Sequence, residues 1–318
     1  MKIIIITPAP PGSRKGNRVT ALRWAKLLRQ LSHRVLIRQE YQGERCDVLV
    51  TMHARRSFDS VERFCRLHPD LPLVVTLTGT DLYDEIHRDP AARKALELAS
   101  RLVVLQPLGI EELPNELRSK TRVIYQSNEA PRLEKKSRRV GFQVCVLGHL
   151  RPVKDTFRTA LAARLLPATS RIRVVHLGAA LSSDMARQAR AEAKANPRYR
   201  WLGDLPRWKA LRILARSDLL VVSSLLEGGA NAVSEAIVAG VPVLSSRIAG
   251  SIGLLGDDYP GYFPVGDTQA LAALLERAET DTKFHKALKD WGRPLRPLFQ
   301  PSRERQTWRE LLGELTRS

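Results

Sequence analysis

Short aliphatic runs recur along the chain and alternate with segments whose apolar positions fall three and four residues apart. Residues 3–6 form a β-branched run that ends in Thr7-Pro8-Ala9-Pro10-Pro11-Gly12, the pattern of a buried strand entering a turn-rich loop. Val19, Leu22, Trp24, Leu27, Leu28 and Leu31 follow at helical spacing with basic residues between them. Residues 35–37, 48–50, 73–77, 102–105 and 123–125 predict further strands, and 58–67 and 91–99 predict helices. The alternation then restarts. Strands are expected at 144–148, 172–178, 199–202, 219–222 and 241–244, and helices near 155–166, 183–195, 207–215, 231–239 and 268–279.

Between the two series, residues 129–139 lack apolar periodicity and carry Pro131 and the charge run Lys135-Lys136-Ser137-Arg138-Arg139, which reads as a linker. Strands alternating with helices imply parallel sheets covered on both faces. The expected fold class is therefore α/β, with two Rossmann-like domains facing across a cleft. The first would span 1–134 and the second 140–300. Residues 301–318, with Trp308, Leu311, Leu312 and Leu315 at helical spacing, would form a helix packing back on one of the domains. Open α/β units bind ligands at the carboxyl ends of their strands, so the functional loops are sought there.

Composition narrows the classes. The 318 residues are 43% hydrophobic and 27% charged, which excludes a chain disordered throughout. Lys and Arg number 52 against 33 acidic residues, a net charge of +19, and the surplus is spread evenly, +10 over 1–139 and +9 over 140–318. A diffuse surplus favours an anionic small molecule over a specific nucleic-acid partner, and the five tryptophans are scattered rather than gathered into a stacking platform. Cys46, Cys65 and Cys145 form no CxxC pair, so neither a disulfide framework nor a zinc site is expected. The apolar run at the amino terminus is far shorter than a signal-peptide core and no run approaches a membrane span, so the expectation is a cytoplasmic protein.

The most informative segment runs from Ser223 to Ala236. A strand ends in Gly228-Gly229, which would let the backbone approach a ligand, and a helix begins near Asn231, expected as its cap. Free amides at such a helix start favour a phosphate. Glu227 on the loop and Glu235 about one turn into the helix offer two carboxylates at a separation that suits a sugar and a ribose. In the first half, Arg14, Lys15 and Arg18 surround Gly16-Asn17 at a helix start, where cations, amides and dipole would converge on a small dianion, with Arg55 and Arg56 as further cations. His176, inside a strand, is expected in the core, whereas Asp81 either caps a turn or binds a ligand.

Glu227, seven residues, then Glu235, followed by Ala236 and Ala239-Gly240-Val241-Pro242-Val243, resembles the E-x7-E signature of retaining glycosyltransferases of the GT-B fold, family four. Gly148-His149-Leu150-Arg151-Pro152-Val153-Lys154-Asp155 resembles the phosphate loop Gly-Arg-Leu-x-x-x-Lys-Gly of that family. The resemblance implies that Glu227 contacts the donor-sugar hydroxyls, Glu235 the ribose and Lys154 the diphosphate, with Gly228, Gly229, Ala230 and Asn231 completing the donor site. Either His149, which stands where the family has arginine, or Arg151 would meet the diphosphate. Leu205, in Gly203-Asp204-Leu205 after a strand, marks where backbone groups would read the uracil edge. The segment Thr76-Leu77-Thr78-Gly79-Thr80-Asp81 resembles a family segment reading His-Gly-x-Asp, with Thr78 in place of the histidine. No Asp-x-Asp triplet occurs, and no metal or other cofactor is expected.

A narrower resemblance covers residues 1 to about 312. The segments 7–20, 53–57, 77–83, 145–151, 227–235 and 259–267 together are similar to the selenosugar synthases of selenoneine biosynthesis. That resemblance implies transfer of a sugar, N-acetylglucosamine or glucose, from a UDP-sugar to the selenium of selenophosphate. Arg14, Lys15, Gly16, Asn17, Arg18 and Thr78 would bind this acceptor, and His53 would orient it or donate a proton. A selenium nucleophile is ionised near neutral pH, so it tolerates the loss of a histidine at Thr78. The alternatives are a family-four transferase with a hydroxyl acceptor, a UDP-sugar hydrolase or epimerase, and a non-enzymatic polyanion binder.

Overall fold

A computed structural model describes residues 1–131 and 141–316. The charge run at 135–139 and the expected domain edges at 134 and 140 lie outside the described residues. The chain divides into two compact units. The first takes Met1–Ser127, Glu227–Gly229 and the chain from Leu298 onward, and the second takes Asn128–Leu226 and Ala230–Pro297.

In the first unit β1 (Lys2–Ile6), β2 (Arg34–Arg38), β3 (Val48–Met52), β4 (Leu73–Thr76), β5 (Arg101–Val104) and β6 (Thr121–Val123) form one parallel sheet in the order β2-β1-β3-β4-β5-β6. Its central strands are apolar on both faces because both are covered. Ile4 and Ile6 enter one core cluster with Leu49, Phe64 and Val75, while Ile3 and Ile5 enter the opposite one with Trp24, Leu28 and Val50. The second cluster is completed by the helix Pro301–Leu315, whose Trp308, Leu311, Leu312 and Leu315 lie beside Ala21, Trp24 and Ala25 of the helix Gly16–Gln30. Trp24 and Trp308 meet edge to face at 4.8 Å. Glu304, 1% exposed, accepts hydrogen bonds from Trp24 Nε1 (2.6 Å) and the Ser127 amide (2.9 Å) and pairs with Arg23 Nε at 3.1 Å. A carboxylate is tolerated there because its oxygens are engaged, and the same bonds fasten the helix to this unit.

The second unit holds β7 (Phe142–Leu147), β8 (Ile172–Leu177), β9 (Tyr199–Trp201), β10 (Leu219–Val222), β11 (Val243–Ser246) and β12 (Tyr262–Phe263), again all parallel, in the order β12-β11-β10-β7-β8-β9. Strand order reverses between β1 and β3 in the first sheet and between β7 and β10 in the second. Loops leaving the carboxyl ends at such a reversal diverge and leave a crevice.

The strand expected at 241–244 begins later, at Val243. Val241 spends its amide on the Ala236 carbonyl (2.9 Å), closing the helix before it, and Pro242 has no amide to give. The helix expected near 155–166 is shortened to Arg158–Arg164, because Asp155 takes a left-handed conformation (φ 44°) after a short 3-10 turn at Pro152–Lys154. The helices Ala249–Leu255 and Thr282–Trp291 and the strand β12 add to the elements expected.

Candidate active site

In the second unit the loop after β7 carries Gly148–Lys154 and is fixed from below. Gly178 has φ 152°, and a Cβ on it would fall 2.0 Å from the Gly148 carbonyl oxygen, so only glycine lets the two strand ends pass. His176 is buried in the core beneath. Its Nε2 lies 3.1 Å from the Gly148 carbonyl, which can only accept, so that nitrogen carries the proton and Nδ1 accepts from the Tyr199 hydroxyl at 3.0 Å. Burial lowers its pKa to about 4, which keeps the ring neutral. His149 Nδ1 accepts the Ala179 amide at 3.0 Å, so this ring is built into the loop. The Ser223 hydroxyl, just past β10, lies 3.2 Å from the Lys154 carbonyl and 3.0 Å from that of Asp155. The turn bearing Arg151 and Lys154 is thus tied to the end of β10 across the reversal point. Leu205 is half-buried in the loop after β9, two residues beyond Gly203 (φ 70°).

The helix Asn231–Ala239 starts differently from expectation. Ala230 is its cap and Asn231 its first helical residue, and the buried Asn231 Oδ1 has no partner among the described residues. Glu235 is buried and ion-paired through Oε1 with Arg207 Nη1. Arg207 Nη2 donates to Asn128 Oδ1 (2.7 Å), Asn128 Nδ2 to Ser234 Oγ (2.8 Å), and the Ser234 hydroxyl to the Asn231 carbonyl (3.0 Å). Cys145 lies behind this cluster. Burial, with the Glu235 charge adding to it, pushes the thiol up to about 12, so it stays protonated.

In the first unit the loop after β1 leads to a helix start at Gly16, with Lys15 as an extended cap residue that makes no side-chain capping bond. Arg14, Lys15 and Gly16 are exposed, and Asn17 and Arg18 are half-buried. Asn17 Nδ2 reaches Thr78 Oγ1 at 3.5 Å, so two of the expected acceptor residues meet. Asp81 caps a turn. Fully buried, it accepts the amides of Thr78 (2.9 Å) and Gly79 (2.8 Å) on one oxygen and that of Ala54 (3.1 Å) on the other, joining the loops after β3 and β4. His53, in a left-handed conformation (φ 74°) and 3% exposed, places Nε2 3.1 Å from Thr80 Oγ1 and Nδ1 3.6 Å from Glu85 Oε2. Arg55 pairs with Asp89 and, with Arg56, lines a separate surface pocket of about 610 Å³.

Gly228 and Gly229 were expected to make room for a ligand. The structure gives both a packing role besides: a Cβ on Gly228 would stand 2.6 Å from the Thr78 carbonyl, and one on Gly229 2.6 Å from Leu105 Cβ. Glu227, half-buried, belongs to the first unit with them, and its charge adds to burial in raising the pKa of the Tyr83 hydroxyl. Among the described residues no three His, Cys, Asp or Glu side chains converge as a metal site would require.

Residues 129–294, just over half of the chain, match the family of glycosyl transferases group 1. The chain belongs to that family. Solved structures show that the likeness of this glycosyltransferase extends over both units. Anabaena HepE in complex with UDP and glucose superposes with a TM-score of 0.79 over 99% of this chain and 100% of that one, at 17% identity. Sucrose-phosphate synthase from Thermosynechococcus elongatus gives 0.76 over 99% of each at 16% identity. A glycosyltransferase from Rickettsia africae gives 0.74 over 99% of this chain and 98% of that one at 11% identity. The two parallel six-stranded sheets with their helices are thus the GT-B fold. No curated protein sequence matches the chain. No described helix is long and apolar enough to cross a membrane.

Within this glycosyltransferase, sequence reading missed Arg207. A signal was present: Arg207 opens the helix Arg207–Leu214, where the helix dipole disfavours a cation and a carboxylate partner is to be sought.

Proposed function

We propose that this glycosyltransferase transfers N-acetylglucosamine or glucose from a UDP-sugar to selenophosphate in the cytoplasm, as a step of selenoneine biosynthesis. The selenium lone pair forms the new bond to the anomeric carbon as the bond from that carbon to UDP breaks. Water then cleaves the Se–P bond, releasing phosphate and the 1-selenosugar. Lys154, with Arg151 or His149, meets the charge that grows on departing UDP. Gly228, Gly229, Ala230, Asn231 and Leu205 line the donor, Glu235 holds the ribose and Glu227 the sugar hydroxyls. Arg14, Lys15, Gly16, Asn17 and Arg18 hold the selenophosphate dianion beside Thr78. No metal takes part.

The observation that carries this reading is the Asn17–Thr78 contact. It brings the basic helix start next to the position where related transferases have histidine, and the side chain there is a threonine, which cannot serve as a base near neutral pH. An acceptor that arrives already ionised fits that chemistry. A hydroxyl acceptor has one observation in its favour, the buried His53 imidazole, a side chain that can take a proton, with Nδ1 3.6 Å from Glu85 Oε2.

Mass spectrometry of products separates the readings. The purified protein is incubated in chelator with UDP-N-acetylglucosamine or UDP-glucose, with and without fresh selenophosphate. A sugar with the selenium isotope pattern, and UDP formed only when selenophosphate is present, is the expected result. UDP released without selenophosphate overturns it in favour of a hydrolase or epimerase, and transfer to a hydroxyl acceptor in favour of the His53 reading.

A further inference from the structure

Glu235 is a carboxylate with a side chain 3% exposed, set in the first turns of a helix and backed by a protonated thiol. An isolated charge at such a depth is strongly disfavoured and tends to be lost by protonation. Here one guanidinium, 40% exposed, supplies the compensation, and it is itself held in two places. Arg207 Nη1 engages Glu235 Oε1, and Nη2 engages Asn128 Oδ1 at 2.7 Å. Asn128 is locked in turn by its bond to Ser234, one residue before Glu235. Two points of attachment on a planar fork fix direction as well as charge. The contact is made to Oε1, and Oε2 is the atom left to accept from a ligand.

We propose that Arg207 is the positioning residue of the donor site. It pairs with the buried Glu235 carboxylate and turns Oε2 toward the ribose hydroxyls, so that this glycosyltransferase selects a ribonucleotide donor through a residue that does not itself touch the nucleotide. The inference rests on the reading of Glu235 as the ribose contact, and the test below keeps the two apart.

The test is calorimetric titration with UDP and with 2′,3′-dideoxy-UDP. The unmodified protein and Arg207→Ala, Arg207→Lys and Glu235→Gln variants are compared, each first checked for an unchanged circular-dichroism spectrum. The unmodified protein is expected to prefer UDP over the dideoxy nucleotide by about tenfold or more. Arg207→Ala should lose that preference by weakening UDP alone, and its unaltered affinity for dideoxy-UDP doubles as the control for folding. Arg207→Lys, which restores the charge without the fork, should recover part of the preference, and Glu235→Gln should match Arg207→Ala. If Arg207→Ala weakens both nucleotides equally, Arg207 acts on the phosphates or on the fold and the assignment fails. If Arg207→Ala keeps the preference that Glu235→Gln loses, the ribose reading of Glu235 stands and the assignment alone fails. If the unmodified protein binds no UDP, or does not distinguish the two nucleotides, the ribose reading falls and takes the assignment with it.

Discussion

A methyl group added at Gly228 would press on the Thr78 carbonyl at 2.6 Å, a contact that backbone cannot relieve by a rotamer change. Gly228→Ala is therefore expected to displace Glu227, its neighbour, and to lower kcat/KM by about 10²-fold while the thermal transition stays cooperative, since misplacing a catalytic group by about 1 Å costs that much. Steady-state UDP release and a melting curve on the same sample check it. Glu227→Gln keeps the shape and removes the charge, and a comparable fall in kcat is expected from it. Unchanged kinetics in that variant would take away the sugar-contact role. Arg14→Ala and Arg18→Ala should raise KM for selenophosphate and leave KM for the UDP-sugar unchanged. At this scale the sequence shows Glu227 and Glu235, because eight positions of loop and helix set their spacing. It does not show Arg207, 28 residues from Glu235, because that pairing is made by tertiary packing of two helices.

Elements show their energetics through what lies under the strand ends. His176 titrates at about 4 in the folded unit and near 6.5 when exposed, because burial, which outweighs the Gly148 bond, and the hydrogen bond that Nδ1 accepts from Tyr199 favour a neutral ring. Between those values the unfolded chain binds more protons than the folded one. Stability therefore falls as pH drops from about 6.5 to about 4, by about 3 kcal/mol in all, and is unaffected by this group above that range. Urea midpoints measured from pH 7 to pH 4 should show the unmodified protein losing stability relative to His176→Gln across that window, and parallel curves would refute the assignment. Most elements are legible from periodicity alone: Ser183–Ala195, Leu219–Val222 and Asn231–Ala239 are residue for residue where the pattern puts them. Those that are not have physical reasons. Ala249–Leu255 contains two glycines in seven residues and has poor intrinsic helicity, so packing decides it. Thr282–Trp291 is separated from the preceding helix by a single residue, Asp281, which serves as the hinge and cap without glycine or proline to announce the break.

For the whole molecule, the repeated strand–helix alternation foretells two sheets, whereas the return of the chain to the first unit rests on contacts between residues far apart in sequence. Glu304 is the clearest of these, bonding Arg23, Trp24 and Ser127 at separations of up to 281 residues. Glu304→Ala would strand the Trp24 N–H and a largely buried guanidinium, and a loss of about 3 kcal/mol is expected in chemical denaturation followed by tryptophan fluorescence. A loss within 0.5 kcal/mol, the range of ordinary surface substitutions, would show that the apolar contacts of Trp308 and its neighbours hold the helix by themselves. The position of this helix also sets an order of events during synthesis. The first unit leaves the ribosome first, yet one face of its sheet waits for Trp308, Leu311, Leu312 and Leu315. The nascent amino-terminal half must therefore stay incomplete, with apolar surface open to chaperones, until the codons for the helix Pro301–Leu315 are read, while the unit begun second has all its own strands in hand earlier.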